Sequence, residues 1–134
     1  MSNVAIVDSN VFITLLKSGV DPAQWLGEKY QDIYSCGVIR VEVLRGVRDI
    51  DVRDRLLEFF DLTNQIPTDF AVWAMASELA WILDCQGRVL PLPDIVIAAC
   101  AQLAGVPILT ADSHFRHIPN LSIIPFNLKG SSSI

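Results

Sequence analysis

Long apolar runs are missing from this sequence. None exceeds seven residues, the length of the run over 95–101, whereas a helix needs roughly 20 to cross a bilayer, so no membrane span is expected. A positively charged leader is missing too. The chain opens Met-Ser-Asn-Val-Ala-Ile-Val-Asp, which does not read as a secretory signal. Cysteine is scarce. Cys36, Cys85 and Cys100 are odd in number, widely spaced and set among apolar neighbours, which reads as reduced core thiols in a cytoplasmic protein.

Positive charge is also short, with 10 Lys and Arg against 15 Asp and Glu and a net charge of −5. Phosphate affinity comes mostly from Lys and Arg, so this balance does not announce a nucleic-acid binder. Arg40, Arg45, Arg48, Arg53 and Arg55 nevertheless fall close together, with Asp49, Asp51 and Asp54 interleaved. That pattern predicts a solvated, salt-bridged helix face and also permits phosphate binding. There is no G-x-G-x-x-G, no P-loop and no H-E-x-x-H. No Ser-His-Asp order stands out, and no cysteine has an activating context.

What the chain does have is apolar mass. Hydrophobic residues make up 51% of 134 and charged residues 19%, the balance of one folded domain. A mean hydropathy of +0.41 means the surplus is buried inside or against another chain. We expect a domain over residues 1–128 and a flexible tail over 129–134, where Gly130 leads into a serine run.

Residues 4–7 read as a buried strand, and Ser9 as the N-cap of a helix through Val11, Phe12, Leu15 and Leu16 that Gly19 stops. Asp21-Pro22 opens a second helix. A strand over 33–36 is followed by helices over 38–47 and 52–62. The longest pattern, 68–86, carries Val72, Met75, Ala76, Leu79, Ile82 and Leu83 on one face. Trp73 and Trp81 widen that stripe, which suggests core on one side and a subunit contact on the other. Residues 90–93 read as a rigid loop delivering Asp94 to the start of a buried helix over 94–104, capped by Gly105. Strands over 106–110 and 121–125 follow. Strands alternating with helices predict an α/β fold, three layers with a short, mostly parallel central sheet.

In such sheets functional groups gather at the strands' carboxyl ends, and Asp8 and Asp112 both follow such ends. Glu42 falls on the apolar stripe of its helix with Ile39, Val43 and Gly46. A carboxylate there needs a partner, either an arginine or a metal. Asp94 alone is an ordinary helix cap, and Asp8 and Asp112 alone are ordinary turn residues. Together with Glu42 they can converge on one cleft, where four carboxylates repel unless divalent cations join them. Hard cations of the magnesium type take such oxygen ligands, and carboxylates around paired metals suit phosphodiester hydrolysis. His114 and His117, three apart beyond Asp112, read as ligands, a proton shuttle or surface residues.

Four stretches carry a resemblance. Val-Asp-Ser-Asn-Val-Phe-Ile (7–13), Val-Ile-Arg-Val-Glu-Val-Leu-Arg-Gly (38–46), Leu-Pro-Leu-Pro-Asp-Ile-Val-Ile-Ala-Ala-Cys-Ala (90–101) and Ile-Leu-Thr-Ala-Asp-Ser-His-Phe (108–115) resemble, in order and spacing, the signature blocks of PIN-domain ribonucleases. Within that family the likeness is to the small VapC-like toxins of toxin–antitoxin pairs. The resemblance implies a Mg2+- or Mn2+-dependent endoribonuclease that cuts RNA, forms a homodimer and is blocked by a cognate antitoxin. It maps the acidic quartet onto Asp8, Glu42, Asp94 and Asp112, with Asp8 and Asp94 the foremost metal ligands and Asn10 and Thr110 in support. His114 departs from the pattern, since many relatives have a further acid there.

Three other readings remain for comparison. A haloacid-dehalogenase-type phosphatase needs an aspartate where Asn10 stands. A receiver domain needs an acidic pair and a late lysine that the chain lacks. A PIN-like protein that processes RNA without a toxin role, or only binds a partner, is the remaining alternative; loss of a carboxylate would mark the binding scaffold, and all four are present.

Overall fold

The computed structural model describes residues 3–128; the expected tail over 129–134 lies outside them. Five strands form one sheet: β1 (Val4–Val7), β2 (Asp32–Cys36), β3 (Asn64–Ile66), β4 (Ile108–Thr110) and β5 (Ile123–Pro125). Their order is β3-β2-β1-β4-β5, and every pairing is parallel. Parallel strands need crossovers, supplied up to β4 by α1 (Ser9–Lys17), α2 (Pro22–Lys29), α3 (Gly37–Leu44), α4 (Ile50–Leu62), α5 (Phe70–Cys85) and α6 (Leu92–Ala104), and between β4 and β5 by a 3-10 turn (Ser113–His117). The result is the three-layer α/β/α arrangement expected from the sequence.

The strands read as continuous apolar runs because helices cover both faces of the sheet. Ala5, Ile6 and Val7 of β1 are fully buried, as are residues 95–101 of α6 within 2% exposure. The seven-residue run is therefore a core helix. Phe12 of α1 packs on Phe60 and Phe59 of α4, with ring centroids 5.2 and 5.9 Å apart.

Several local expectations change. Asp8, not Ser9, caps α1: its Oδ1 accepts the Ser9 N–H, and Ser9 is the first helical residue. The helix bearing Asp94 starts earlier, at Leu92, because Pro93 fits a first turn where no backbone N–H is needed. Asp94 is thus a first-turn acid and not the cap. Strand β3 is an addition to the expected elements; only Ile66 of its three residues is apolar. Cys36 and Cys100 are buried, but Cys85 is exposed. On α5 the buried stripe is Val72, Ala76, Leu79 and Leu83. Trp73 and Trp81 do not widen it: with Phe70 they lie on the opposite side at 46, 67 and 85% exposure.

The arginine cluster also differs from expectation. Among the described residues, Arg40–Asp61 is the one Arg–carboxylate ion pair. Asp49 is instead the N-cap of α4, accepting the N–H groups of Asp51 and Val52. Capping satisfies donors that have no partner within the helix, so the interleaved acid serves the backbone.

Candidate active site

β1 and β4 are neighbours at the point where the chain order turns to either side of the sheet, and ligands of α/β sheets sit at such points. Asp8 leaves β1 there and Asp112 follows β4 by two residues. α6 runs toward the start of β4, so its first turn, with Asp94, stands at the same end of the sheet. α3 brings Glu42 from the carboxyl end of β2. The four expected acids thus gather at one end of the sheet.

Asp8 is 3% exposed and is held from both sides. Its Oδ1 accepts the Ser9 N–H at 2.8 Å and its Oδ2 accepts the Thr110 hydroxyl at 2.8 Å. The direction of that second bond is forced. Thr110 Oγ1 already faces the Asp112 N–H at 3.0 Å and the Asn10 amide at 3.4 Å, both of which can only donate. Asn10 Oδ1 in turn accepts the Ala111 N–H at 3.3 Å. Asn10 and Thr110 therefore tie the ends of β1 and β4 together beneath the carboxylates.

Glu42 is half-buried, and its Oε1 accepts the Ser9 hydroxyl at 2.9 Å. Among the described residues no Lys, Arg or His forms an ion pair with it, which removes the arginine partner as an explanation of its position. Asp112 caps a 3-10 turn over Ser113–His117, accepting the His114 N–H at 2.8 Å, and meets His114 Nδ1 at 3.0 Å. His114 is otherwise open to solvent. His117 lies against the Arg88 guanidinium instead. A cavity of about 260 Å3 opens beside Asp112, lined in part by Ser113, Arg116 and Ile123.

Burial raises the Asp8 pKa, opposed by the bonds from Thr110 and Ser9 and reinforced by the charges of Glu42 and Asp112. Asp94 is pushed up to about 6, first by burial, then by Asp8, Asp112 and Glu42. Asp8 and Asp94 thus sit in a field of like charges set by their acidic neighbours. Among the described residues no three Asp, Glu, His or Cys side chains stand close enough to grip one ion together. The donor set nonetheless suits a hard cation: all oxygen, and no cationic side chain bonded to Asp8, Glu42 or Asp94 among the described residues.

One consequence concerns Glu42→Gln, which keeps the acceptor for Ser9 and removes one charge. It should raise the melting temperature in chelator, by the equivalent of about 0.2–1 kcal/mol. Added Mg2+ should stabilise wild type, by up to about 2.7 kcal/mol at a hundredfold excess over Kd, and the variant less. A Glu42→Gln variant that melts well below wild type in chelator would mean that Glu42 is structural.

Sequence reasoning assigns Ser9 only a capping role and misses its bond to Glu42. The signal available is a second polar residue directly after a capping aspartate, which leaves one side chain free for another task.

The PIN domain family matches residues 5–121 of the chain. No curated protein matches it by sequence. Among solved structures it is similar to VapBC2 from Rickettsia felis bound to a promoter DNA fragment, with a TM-score of 0.77 and 17% identity over 92% of this chain and 99% of that one. A toxin–antitoxin complex from Klebsiella pneumoniae matches with a TM-score of 0.71 and 24% identity, over 92% and 99%. FitAcB from Neisseria gonorrhoeae matches with a TM-score of 0.70 and 19% identity, over 92% and 96%. These likenesses establish a shared fold over nearly the whole chain.

Proposed function

Because the chain belongs to the PIN domain family, whose members are nucleases, we propose that it is a Mg2+- or Mn2+-dependent endoribonuclease and the toxin of a toxin–antitoxin pair. The observation that carries this reading is Asp8, a buried carboxylate with two hydrogen-bond donors, no bonded cationic side chain among the described residues and the charges of Glu42 and Asp112 acting on it. A buried charge in such company is costly without a counter-ion. Asp8 and Asp94 would be the principal metal ligands, with Glu42 and Asp112 completing the set.

A bound divalent cation supplies charge neutralisation at a phosphodiester and activates water for attack. The chain supplies the rest. Thr110 and the Ser9 N–H fix the Asp8 carboxylate, and Asn10 holds the loop after β4 so that Asp112 stays beside it. Fixed oxygens cost no reorganisation when charge develops, which is where such sites gain their rate. The nuclease domain would span residues 1–128.

Two similar solved structures are a toxin–antitoxin complex and a member of a family of toxin–antitoxin systems, which supports an antitoxin as partner here. The exposed row Phe70, Trp73 and Trp81 on α5 supports a second partner chain, in our reading another copy, since isolated apolar residues are common but a row of three aromatics is not. No helix of the described residues is long and apolar enough to cross a membrane. In our reading the protein acts on RNA in the cytoplasm.

Purified protein incubated with RNA should cut it in Mg2+ or Mn2+ and stop in chelator, and a co-expressed antitoxin should co-purify and inhibit it. A folded protein that cuts no RNA under any divalent metal would instead favour a partner-binding role. Cleavage without any inhibitory partner would favour RNA processing.

A further inference from the structure

We propose that Ser9 is a positioning residue that sets Asp8 and Glu42 against each other, an inference that rests on the metal-dependent nuclease reading. Its backbone N–H donates to Asp8 Oδ1 at 2.8 Å and its hydroxyl donates to Glu42 Oε1 at 2.9 Å. One residue thereby holds two carboxylates from distant parts of the sequence.

The fold makes this possible. Asp8 takes the cap of α1, so the Ser9 hydroxyl is not needed there and the Ser9 N–H is one of the free donors of the first turn. A hydroxyl has one proton to give, and here it goes to Glu42. Two donors aimed at two like charges offset part of their repulsion and fix the Glu42 side chain, which would otherwise sample many rotamers. Asp8 and Glu42 would then offer a divalent cation a pre-set pair of carboxylates that binding need not order. Partners of this kind change metal affinity or activity by roughly 10–100-fold when removed.

The test uses Mn2+ binding, read from the electron paramagnetic resonance signal of the free ion, together with RNA cleavage kinetics. Ser9→Ala keeps the backbone donor and loses the hydroxyl. It should weaken Mn2+ binding about 10-fold and lower kcat by a similar factor, with KM for RNA unchanged. Ser9→Thr restores the hydroxyl and should restore both. Ser9→Cys, a weak donor of similar size, should fall with Ser9→Ala, which separates the lost donor from any disturbance of packing. Wild-type Mn2+ affinity in Ser9→Ala, or a Ser9→Thr as defective as Ser9→Ala, would overturn the inference while the nuclease reading stands. A wild-type protein that binds no Mn2+ and cuts nothing would overturn both.

Discussion

Asp94→Asn is expected to lower RNA cleavage by at least about 10²–10³-fold and yet to melt above wild type in chelator. The two halves have one cause. Burial and the neighbouring acids raise the Asp94 pKa from 3.8 to about 6, so ionising this group in the folded protein costs free energy. Between those two values the folded state binds more protons than the unfolded one, and stability falls as pH rises. The cost is therefore absent well below pH 4 and complete above about pH 7. Asp94 is partly exposed, so solvent screening leaves about 1–2 kcal/mol of it. Asparagine removes the charge at equal size. Its advantage in melting temperature should be greatest at pH 7.5 and close as pH falls toward 4.5. Saturating Mg2+ should reverse the order, because the proposed ligand set is complete in the wild type alone. An Asp94→Asn protein that is inactive because it is unfolded in chelator would refute this assignment. Asp8→Asn should be equally inactive, but its oxygens serve the cap and Thr110, so no stability gain is expected there.

Phe12→Ala is expected to cost about 3–5 kcal/mol of stability, which for a domain of this size lowers the melting temperature by roughly 10–20 °C. Phe12 is 1% exposed and packs on Phe59 and Phe60, so the deleted ring leaves a cavity that α1 and α4 cannot close together. α1 begins with Ser9 and Asn10, the residues that hold Glu42 and the loop after β4. The substitution should therefore also blunt Mg2+ stabilisation of what remains folded. Phe12→Leu fills most of the space and should lose less than half as much. Calorimetric melts of the three proteins check both statements.

These variants sit at opposite ends of what the sequence disclosed. Phe12 was legible because an apolar residue at helical spacing behind a capped start leaves little choice about where it points. The convergence of the acids was legible in outline, since Asp8 and Asp112 follow apolar runs that can only be buried strands. The details at the helix starts were not. Asp8 and Ser9 are both good capping residues, and only the geometry at the end of β1 decides that Asp8 caps and Ser9 reaches Glu42. Pro93 permits either a loop or a first helical turn, and packing of α6 selects the helix. β3 escaped notice because Asn64 and Gln65 are exposed at a sheet edge and carry no apolar alternation; its register, Tyr34 opposite Asn64, comes from the neighbouring strand. The arginine and aspartate mixture after Glu42 suggested ion pairs, but a backbone in need of a cap takes Asp49 first. Propensity fixes which residues can cap or pair. Tertiary contacts decide which of them do.

The chemistry of the cut ends tests the central claim most directly. If Asp8, Glu42, Asp94 and Asp112 hold cations that activate water, RNA cut by the purified protein in Mg2+ should carry 5′-phosphate and 3′-hydroxyl ends. Those ends should vanish with chelator and with Asp94→Asn. Fragments ending in cyclic phosphate, formed equally well in chelator, would mean that the ribose 2′-hydroxyl is the nucleophile and that the carboxylate cluster does not carry the reaction.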